Sequence, residues 1–278
     1  MKKFISVFDG LRMSQSTLDY TIQLAKSTGA HVTGVFLDDL LYRSYSVYDV
    51  LTTSSQPEIT IKKMDEKDKE KRDNAVKQFK WACASAGILF SVHRDVCIAV
   101  QELKHETMFA DLVIINKSES FSFYEEKYPT RFIKDVLTGV QCPVLILPTE
   151  FKQIDNIVLL YDGAPSSVYA TKMFSYLLGN LETLPIEVFS VKETKNNTLL
   201  SSDTLMREFM HRHFSTVTYT LVTGQAEEEI ANHLCQKKNT LVVLGAYNRG
   251  EVSRWFKPSM ADILMDKIES PLFIAHNK

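Results

Sequence analysis

Two aspartates at matching places in the chain, Asp9 and Asp162, each end a short apolar segment and are followed by glycine. A carboxylate in that position can accept hydrogen bonds from a base or a ribose. Further along each half, the loops at 116–130 and 245–259 lie between an apolar segment and a helical pattern. Such a loop can hold a phosphate with its backbone N–H groups, helped by the positive end of the next helix. Nucleotide or anion binding is therefore the chemistry that these residues suggest.

The same residues also have a purely structural explanation. Asp-Gly after a strand is ordinary turn chemistry, and Ser259 and Thr130 are good helix N-caps. Asp262, three residues after Ser259, completes an acidic version of the capping box. Duplication does not separate the two explanations, because a turn or a cap is copied as readily as a binding site.

The elements that must position these residues occur twice, in the same order along the chain. Each copy has an apolar run ending in Asp-Gly, a later apolar run, a Pro-hydroxyl pair and a closing Pro-apolar run. The order of the matches indicates duplication of one unit. The matched pairs are 4–10 with 157–163, 111–116 with 240–245, Pro129-Thr130 with Pro258-Ser259, and 143–147 with 271–275.

Alternating strand and helix patterns predict the fold of each copy. The strand segments are continuously apolar, as expected for parallel strands covered on both faces. We therefore expect an α/β fold made of two tandem doubly wound five-stranded parallel-sheet domains, half one at 1–150 and half two at 154–278. The predicted strands are near 3–8, 31–37, 89–94, 111–115 and 144–147, and near 156–161, 185–191, 215–222, 240–244 and 272–275.

Half one carries a longer middle segment, at 38–88, than half two. Its run of mixed charges at 62–73 leads into apolar positions and predicts a long helix with a solvated face, although a partner site there is an alternative. The aromatic and polar segment 42–48 lies where a lid or contact loop would be. Stacking on a ligand is conceivable, but packing against the extra helix is the favoured interpretation.

Charge and cysteine usage exclude several classes of protein. Lysine and arginine number 32 against 34 for aspartate and glutamate, so nothing in the net charge of −2 attracts nucleic acid or an anionic membrane. The apolar segments are too short to span a bilayer, and we expect a soluble, cytoplasmic chain. The four cysteines lack the spacing of a zinc site or of a disulfide framework, so buried reduced thiols and no metal are expected.

The sequence resembles the universal stress protein family, as a tandem two-domain member, over nearly the whole chain. The resemblance implies a universal stress protein-like (adenine nucleotide alpha hydrolase-like) fold. It also implies that the last strands, 144–147 and 272–275, pair within the molecule as a pseudo-dimer. The residues that carry the resemblance are Asp9, Asp162, 242–250 and 259–275.

ATP-binding members of that family carry Gly-x2-Gly-x9-Gly-[Ser/Thr] in the loop and place the aspartate near the adenine. Both halves depart from this pattern. The candidate nucleotide-binding residues of half two are Asp162, Gly245, Asn248, Arg249, Gly250 and Ser259, with Asn248 at the second glycine position and Pro258 at the third. The degenerate counterparts in half one are Asp9, Asn116, Glu119 and Thr130, with Pro129 at the third glycine position.

The departures from the glycine pattern are expected to weaken phosphate binding. A proline has no N–H to give a phosphate oxygen, whereas Asn248 can still adopt a left-handed conformation. In half one the glutamates add negative charge, offset in part by Lys117 and Lys127, and phosphate binding is expected to be lost. Half two keeps cationic side chains that can compensate, so ATP or AMP is expected in half two only, if anywhere. The glutamates of half one are Glu119, Glu125 and Glu126, and the cationic side chains of half two are Arg249, Arg254 and Lys257.

No catalytic signature accompanies these loops: there is no Gly-x-Ser-x-Gly elbow, no P-loop lysine and no nucleophile–base pair. We therefore expect a non-enzymatic stress-response protein that acts through protein partners, with weak or lost nucleotide binding. The alternative is an ATP- or AMP-binding sensor, or a slow ATPase, that uses the loop 245–259. A homodimer of whole chains is compatible with either function.

Overall fold

A computed structural model describes residues 1–39, 42–192, 203–245 and 259–275, with the backbone but not the side chains of 95–97. The predicted strands are confirmed to within a few residues at their ends. The strands are β1 (Lys3–Phe8), β2 (His31–Asp39), β3 (Phe90–Cys97), β4 (Leu112–Asn116), β5 (Val144–Leu147), β6 (Asn156–Leu160), β7 (Ile186–Lys192), β8 (Val217–Thr223), β9 (Thr240–Gly245) and β10 (Leu272–Ala275). The helices are α1 (Gln15–Thr28), α2 (Val47–Thr53), α3 (Pro57–Ala86), α4 (Ala99–Thr107), α5 (Arg131–Gly139), α6 (Pro165–Leu177), α7 (Asp203–His213), α8 (Ala226–Cys235) and α9 (Met260–Lys267).

All ten strands lie in one sheet, in the order β3-β2-β1-β4-β5-β10-β9-β6-β7-β8. Each half contributes five parallel strands in the same relative order, which confirms the predicted α/β fold with a doubly wound sheet in each copy. Because the strands of each half are parallel, β1 and β4 have their carboxyl ends side by side, and so do β6 and β9. The candidate aspartates and loops follow these carboxyl ends.

The two halves meet at the centre of the sheet, where β5 and β10 pair antiparallel. Leu272 lies opposite Ile146, and Ile274 lies opposite Val144. This is the pairing that the family resemblance implied for the last strands. It closes two sheet edges that would otherwise expose unpaired backbone groups.

Both faces of the sheet carry an apolar core that continues from one half into the other. One face is covered by α4, α5, α8 and α9, and the other by α1, α3, α6 and α7. The central strands are buried on both sides, as their continuously apolar sequences require.

The predicted long helix of half one is confirmed as α3, which begins and ends beyond the charged run. Phe79 of α3 packs against Phe8 and Phe36, with ring centroids 5.5 and 5.8 Å apart. Gly34 of β2 permits this approach, because a Cβ there would come within 2.7 Å of the Phe79 ring. The extra helix is therefore part of the core of half one rather than an appendage.

The expectation of buried thiols is right for Cys83 and Cys142 and wrong for Cys235, which is exposed at the end of α8. Burial raises the pKa of Cys83 to about 12, so this thiol stays protonated. No helix in the described ranges is long and apolar enough to cross a membrane. The same ranges hold no group of three or more histidine, cysteine or acidic side chains placed to bind a metal ion.

Candidate functional site

Both candidate aspartates close a tight turn after their strand. Asp9 Oδ1 accepts the Leu11 N–H at 2.8 Å, and Asp162 Oδ1 accepts the Ala164 N–H at 2.9 Å. The turn explanation is therefore confirmed in both halves. Beyond the turn the two residues differ, because Asp9 is only 4% exposed whereas Asp162 is exposed to solvent.

Tyr42 covers Asp9 in half one. Its hydroxyl donates to Asp9 Oδ2 at 2.8 Å, and its side chain is buried. Burial raises the pKa of Tyr42, so the hydroxyl remains a hydrogen-bond donor. The Tyr42 ring packs against Phe121, which in turn packs against Phe132 of α5. The space above Asp9 is therefore filled by side chains of the chain itself.

Helix α3 holds this cover in place. Arg72 donates to the Tyr42 carbonyl at 2.9 Å and lies so close to the turn that a Cβ on Gly10 would be 3.0 Å from its Cγ. Asp68, buried in α3, accepts the backbone N–H and the hydroxyl of Ser44. Packing of the 42–48 segment against the extra helix is thus confirmed for Tyr42 and its neighbours.

Glu119 adds a second buried carboxyl beside Asp9. The residue is 4% exposed, and its carboxyl group lies close enough to Asp9 to respond to the charge of that residue. Burial, and after it the charge of Asp9, raise the pKa of Glu119 well above its usual value. Burial also raises the pKa of Asp9, against the opposing effect of the Leu11 N–H, the Tyr42 hydroxyl and the nearby arginines. A phosphate brought to this position would add negative charge beside two carboxyl groups that burial already makes harder to ionise.

Asn116 and Thr130, the remaining candidates of half one, are occupied by structural hydrogen bonds. The Asn116 amide donates to the Pro148 carbonyl at 2.8 Å and to Ser14 Oγ at 3.1 Å. Thr130 caps α5 by accepting the Ile133 N–H at 3.2 Å, and its hydroxyl also donates to the Glu119 carbonyl. The prediction that Thr130 is an N-cap is confirmed.

The expectation that Lys117 offsets the glutamates of its own loop is wrong. Its Nζ lies 2.5 Å from Glu269 Oε1 and 3.3 Å from the carbonyl of Met265, both in half two. The last carbonyls of α9 carry partial negative charge, and with Glu269 they hold the ammonium group, which also lies 4.8 Å from the centre of the Tyr128 ring. Lys117 therefore joins the two halves instead of preparing an anion site.

In half two the described candidates are Asp162, Gly245 and Ser259. A Cβ on Gly245 would lie 2.4 Å from the carbonyl carbon and oxygen of Ser166, so this glycine lets the first turn of α6 approach β9. Ser259 caps α9, and Asp262 returns the bond in the predicted capping box. Asn248, Arg249 and Gly250 lie outside the described residues, as do Arg254, Lys257 and Pro258.

Sequence reasoning missed the direct bond between Tyr42 and Asp9 and the role of Arg72. A signal for Arg72 was present, since Asp68, Arg72 and Phe79 fall on one face of α3 at helical spacing. The charged run hid that face, because most of its members are solvated. Which of the many charges faces inward follows only from the packing of α3 on the sheet.

No family model matches the chain. Universal stress protein Slr1230 of Synechocystis sp. is 19% identical to it over 271 aligned positions, which cover 91% of this chain and 92% of that protein. A universal stress protein from Archaeoglobus fulgidus has a similar structure, with a TM-score of 0.70 at 15% identity over 99% of this chain and 98% of that one. A putative universal stress protein from Pseudomonas aeruginosa gives a TM-score of 0.61 at 16% identity, over 99% and 93% of the two chains. These similarities confirm the resemblance that the motifs predicted, and the structures show that the shared fold extends over both halves.

Proposed function

We propose that this chain, a tandem protein of the universal stress type by fold and by sequence similarity, is non-enzymatic and acts in stress response through protein partners, with nucleotide binding weak or lost. The observation that carries the proposal is the filled space above Asp9. Tyr42 occupies the acceptor that a base or ribose would use, and α3 holds Tyr42 there through Arg72.

Opening half one to a nucleotide would be costly. The Tyr42–Asp9 bond would break, and a buried donor or acceptor left without a partner costs about 1 to 3 kcal/mol. The buried Glu119 would disfavour any phosphate that took the place of the Tyr42 hydroxyl. Half one therefore serves as structure and as surface in this proposal, not as a ligand site.

Half two carries the alternative function, an ATP- or AMP-binding sensor or a slow ATPase. The observation in its favour is Asp162, which is exposed and has one carboxylate oxygen without a donor among the described residues. Pro258 argues against it, because that position of the loop has no N–H to offer a phosphate. We therefore keep nucleotide binding in half two as the weaker candidate.

Thermal unfolding with and without millimolar MgATP tests the proposal. We expect no appreciable change in Tm, because a ligand raises the Tm only when its free concentration is comparable to or above its Kd for the folded chain. Asp162→Ala is the diagnostic variant, and Asp19→Ala, which removes a half-buried carboxylate of α1, is the matched control. A rise of several degrees that Asp162→Ala abolishes and Asp19→Ala retains would overturn the non-binding proposal in favour of the alternative.

Phosphate release from MgATP tests the non-enzymatic part separately. We expect the wild-type chain to release no more phosphate than buffer does, because no nucleophile–base pair is found in its sequence. A rate that survives purification and falls in Asp162→Ala would identify half two as a slow ATPase.

A further inference from the structure

A cavity of about 390 Å³ lies at the opposite end of half two from Asp162. It is partly open to solvent and is bounded by the ends of α8 and α9 and by the residues that lead into β9 and β10, with the segment between the halves on one side. Its volume is within the range of small-molecule sites. The polar residues that concern us are Lys152, Lys237, Lys238, Asn239, Lys267 and Ser270.

We propose that this cavity binds a small phosphorylated anion with at least two negative charges. Four lysines line it, and three of them, Lys152, Lys238 and Lys267, are exposed and have no ion pair among the described residues. The Ser270 hydroxyl likewise has no hydrogen-bond partner in the described part of the chain and can serve as a neutral donor. Lysine ammonium groups are common ligands of phosphate.

Two of the acidic groups near the cavity are paired with lysines, and a third is hydrogen-bonded to a neutral amide. Glu269, which also lines it, is paired with Lys117 at 2.5 Å. Glu187 is paired with Lys237 at 2.8 Å, and Asp155 accepts the side-chain amide of Asn239 at 2.6 Å. The three unpaired lysines outnumber Asp155, which is not paired with a lysine, so the cavity has net positive charge although the chain as a whole is slightly acidic.

Helix ends explain only part of this charge. Lys267 is in the last turn of α9, and Lys237 and Lys238 follow α8, where cations are favoured by the helix dipole. Each helix end carries roughly half a negative charge, so two ends offset about one ammonium group. Three unpaired lysines exceed that requirement even when the charge of Asp155 is counted against them, and the excess is what an anion would complement.

Calorimetric titration with sodium tripolyphosphate tests the site. Wild-type chain is expected to bind it saturably, with an affinity that falls as salt is raised. The variant Lys238→Ala/Lys267→Ala is expected to lose about tenfold or more in affinity, since it removes two charge-assisted contacts. Its matched control is Lys62→Ala/Lys67→Ala, which removes two exposed lysines of α3. Absence of binding by the wild-type chain, or equal binding by the two double variants, would overturn the proposal.

A third variant distinguishes binding in this cavity from binding at the loop of half two. Arg249→Ala/Arg254→Ala removes cations of that loop, and it is expected to leave tripolyphosphate binding unchanged. Loss of binding in this variant alone would assign the anion to the loop and overturn the cavity site. Because MgATP and Asp162→Ala report on the loop, failure of the proposed function and failure of this site are distinguishable.

Co-sedimentation with phosphatidic acid vesicles identifies the source of the phosphate. Sedimentation of the wild-type chain that is lost in Lys238→Ala/Lys267→Ala would support the site with a lipid headgroup as ligand. Tripolyphosphate binding without sedimentation would support it with a free phosphorylated compound.

Discussion

Asp9 and Asp162 occupy the same turn in two copies of one unit, yet one is buried under Tyr42 and the other is exposed. The hydrogen bond from the aspartate to the N–H two residues on is kept in both copies. What differs is the segment between the second and third strands, which in half one supplies α3 and the residues that cover the turn. The turn is thus a requirement of the fold, and access to it is controlled by an insertion elsewhere in the chain.

The fourth strands extend the comparison. Half one ends β4 with Asn116, whose side chain is bonded to Ser14 and Pro148, while half two ends β9 with Gly245 against the backbone of Ser166. The Asn116 side chain forms hydrogen bonds at a position where half two, at Gly245, has no room for a side chain. The copies therefore differ in packing as well as in charge at the sheet edge that could bind a ligand.

Gly245→Ala gives the largest expected effect. The new Cβ would lie 2.4 Å from backbone atoms of Ser166, which cannot move without α6, and we expect a loss of about 3 kcal/mol. Urea denaturation measures it. The half-one counterpart, Asn116→Ala, removes hydrogen bonds without a clash and is expected to cost about 2 kcal/mol or less. A smaller cost for Gly245→Ala than for Asn116→Ala would break the comparison.

Tyr42→Phe is expected to cost about 1 to 2 kcal/mol, because it leaves the buried Asp9 carboxyl without one of its donors. Tyr45→Phe is the matched control, since the Tyr45 hydroxyl bonds Asp65 at an exposed site and its loss should cost less than about 0.5 kcal/mol. Chemical denaturation of both variants checks the difference. Equal costs would mean that the cover over Asp9 contributes nothing particular to half one.

Glu119→Gln is expected to stabilise the chain by about 1 kcal/mol at neutral pH, because it removes a desolvated, like-charged carboxyl beside Asp9. The pKa of Glu119 is raised in the folded chain, so its cost is absent below its ordinary value of 4.5 and grows as pH rises from there towards the folded pKa. Thermal unfolding between pH 4 and pH 8 should therefore show a gain that vanishes in acid.

The groups that face Glu119 and Asp9 are Tyr42, Arg12 and Arg72. None of them is altered by Glu119→Gln. Glu182→Gln, which changes an exposed glutamate in half two, is the control and should show little change across the same pH range. A stabilisation independent of pH would contradict the assigned cause.

Asp162→Ala is expected to have the smallest effect on stability, within about 0.5 kcal/mol, because the lost bond to Ala164 is exposed and water can replace it. Urea denaturation in the absence of nucleotide measures it. A loss above about 1 kcal/mol would mean that Asp162 is held as firmly as Asp9, and the contrast between the halves would disappear.

Much of the fold follows from the sequence because its determinants are local or repeated. The continuous apolar runs predict parallel strands, and the Ser259 and Thr130 hydroxyls predict the starts of α9 and α5. The match of 143–147 with 271–275 predicts that both halves end in equivalent strands, β5 and β10. Each of these depends on a few neighbouring residues whose chemistry has few alternatives.

The occupation of the half-one site depends on contacts between distant residues. Lys117 illustrates the difficulty, since a cation inside an acidic loop suggests local compensation but contacts Glu269 in the other half. Arg72 could be assigned to Tyr42 only once α3 was packed over the turn. Side-chain partners at long sequence separation are set by tertiary packing, and composition or spacing does not specify them.

The antiparallel join of β5 and β10 has a consequence for how the molecule responds to dilution. A half-length chain that completed its sheet through the same strand would need a second molecule, and its folded population would fall with protein concentration. Here both strands belong to one polypeptide, and the effective concentration of one for the other is set by the short connection at 151–155. The pairing is therefore retained at any abundance of the protein.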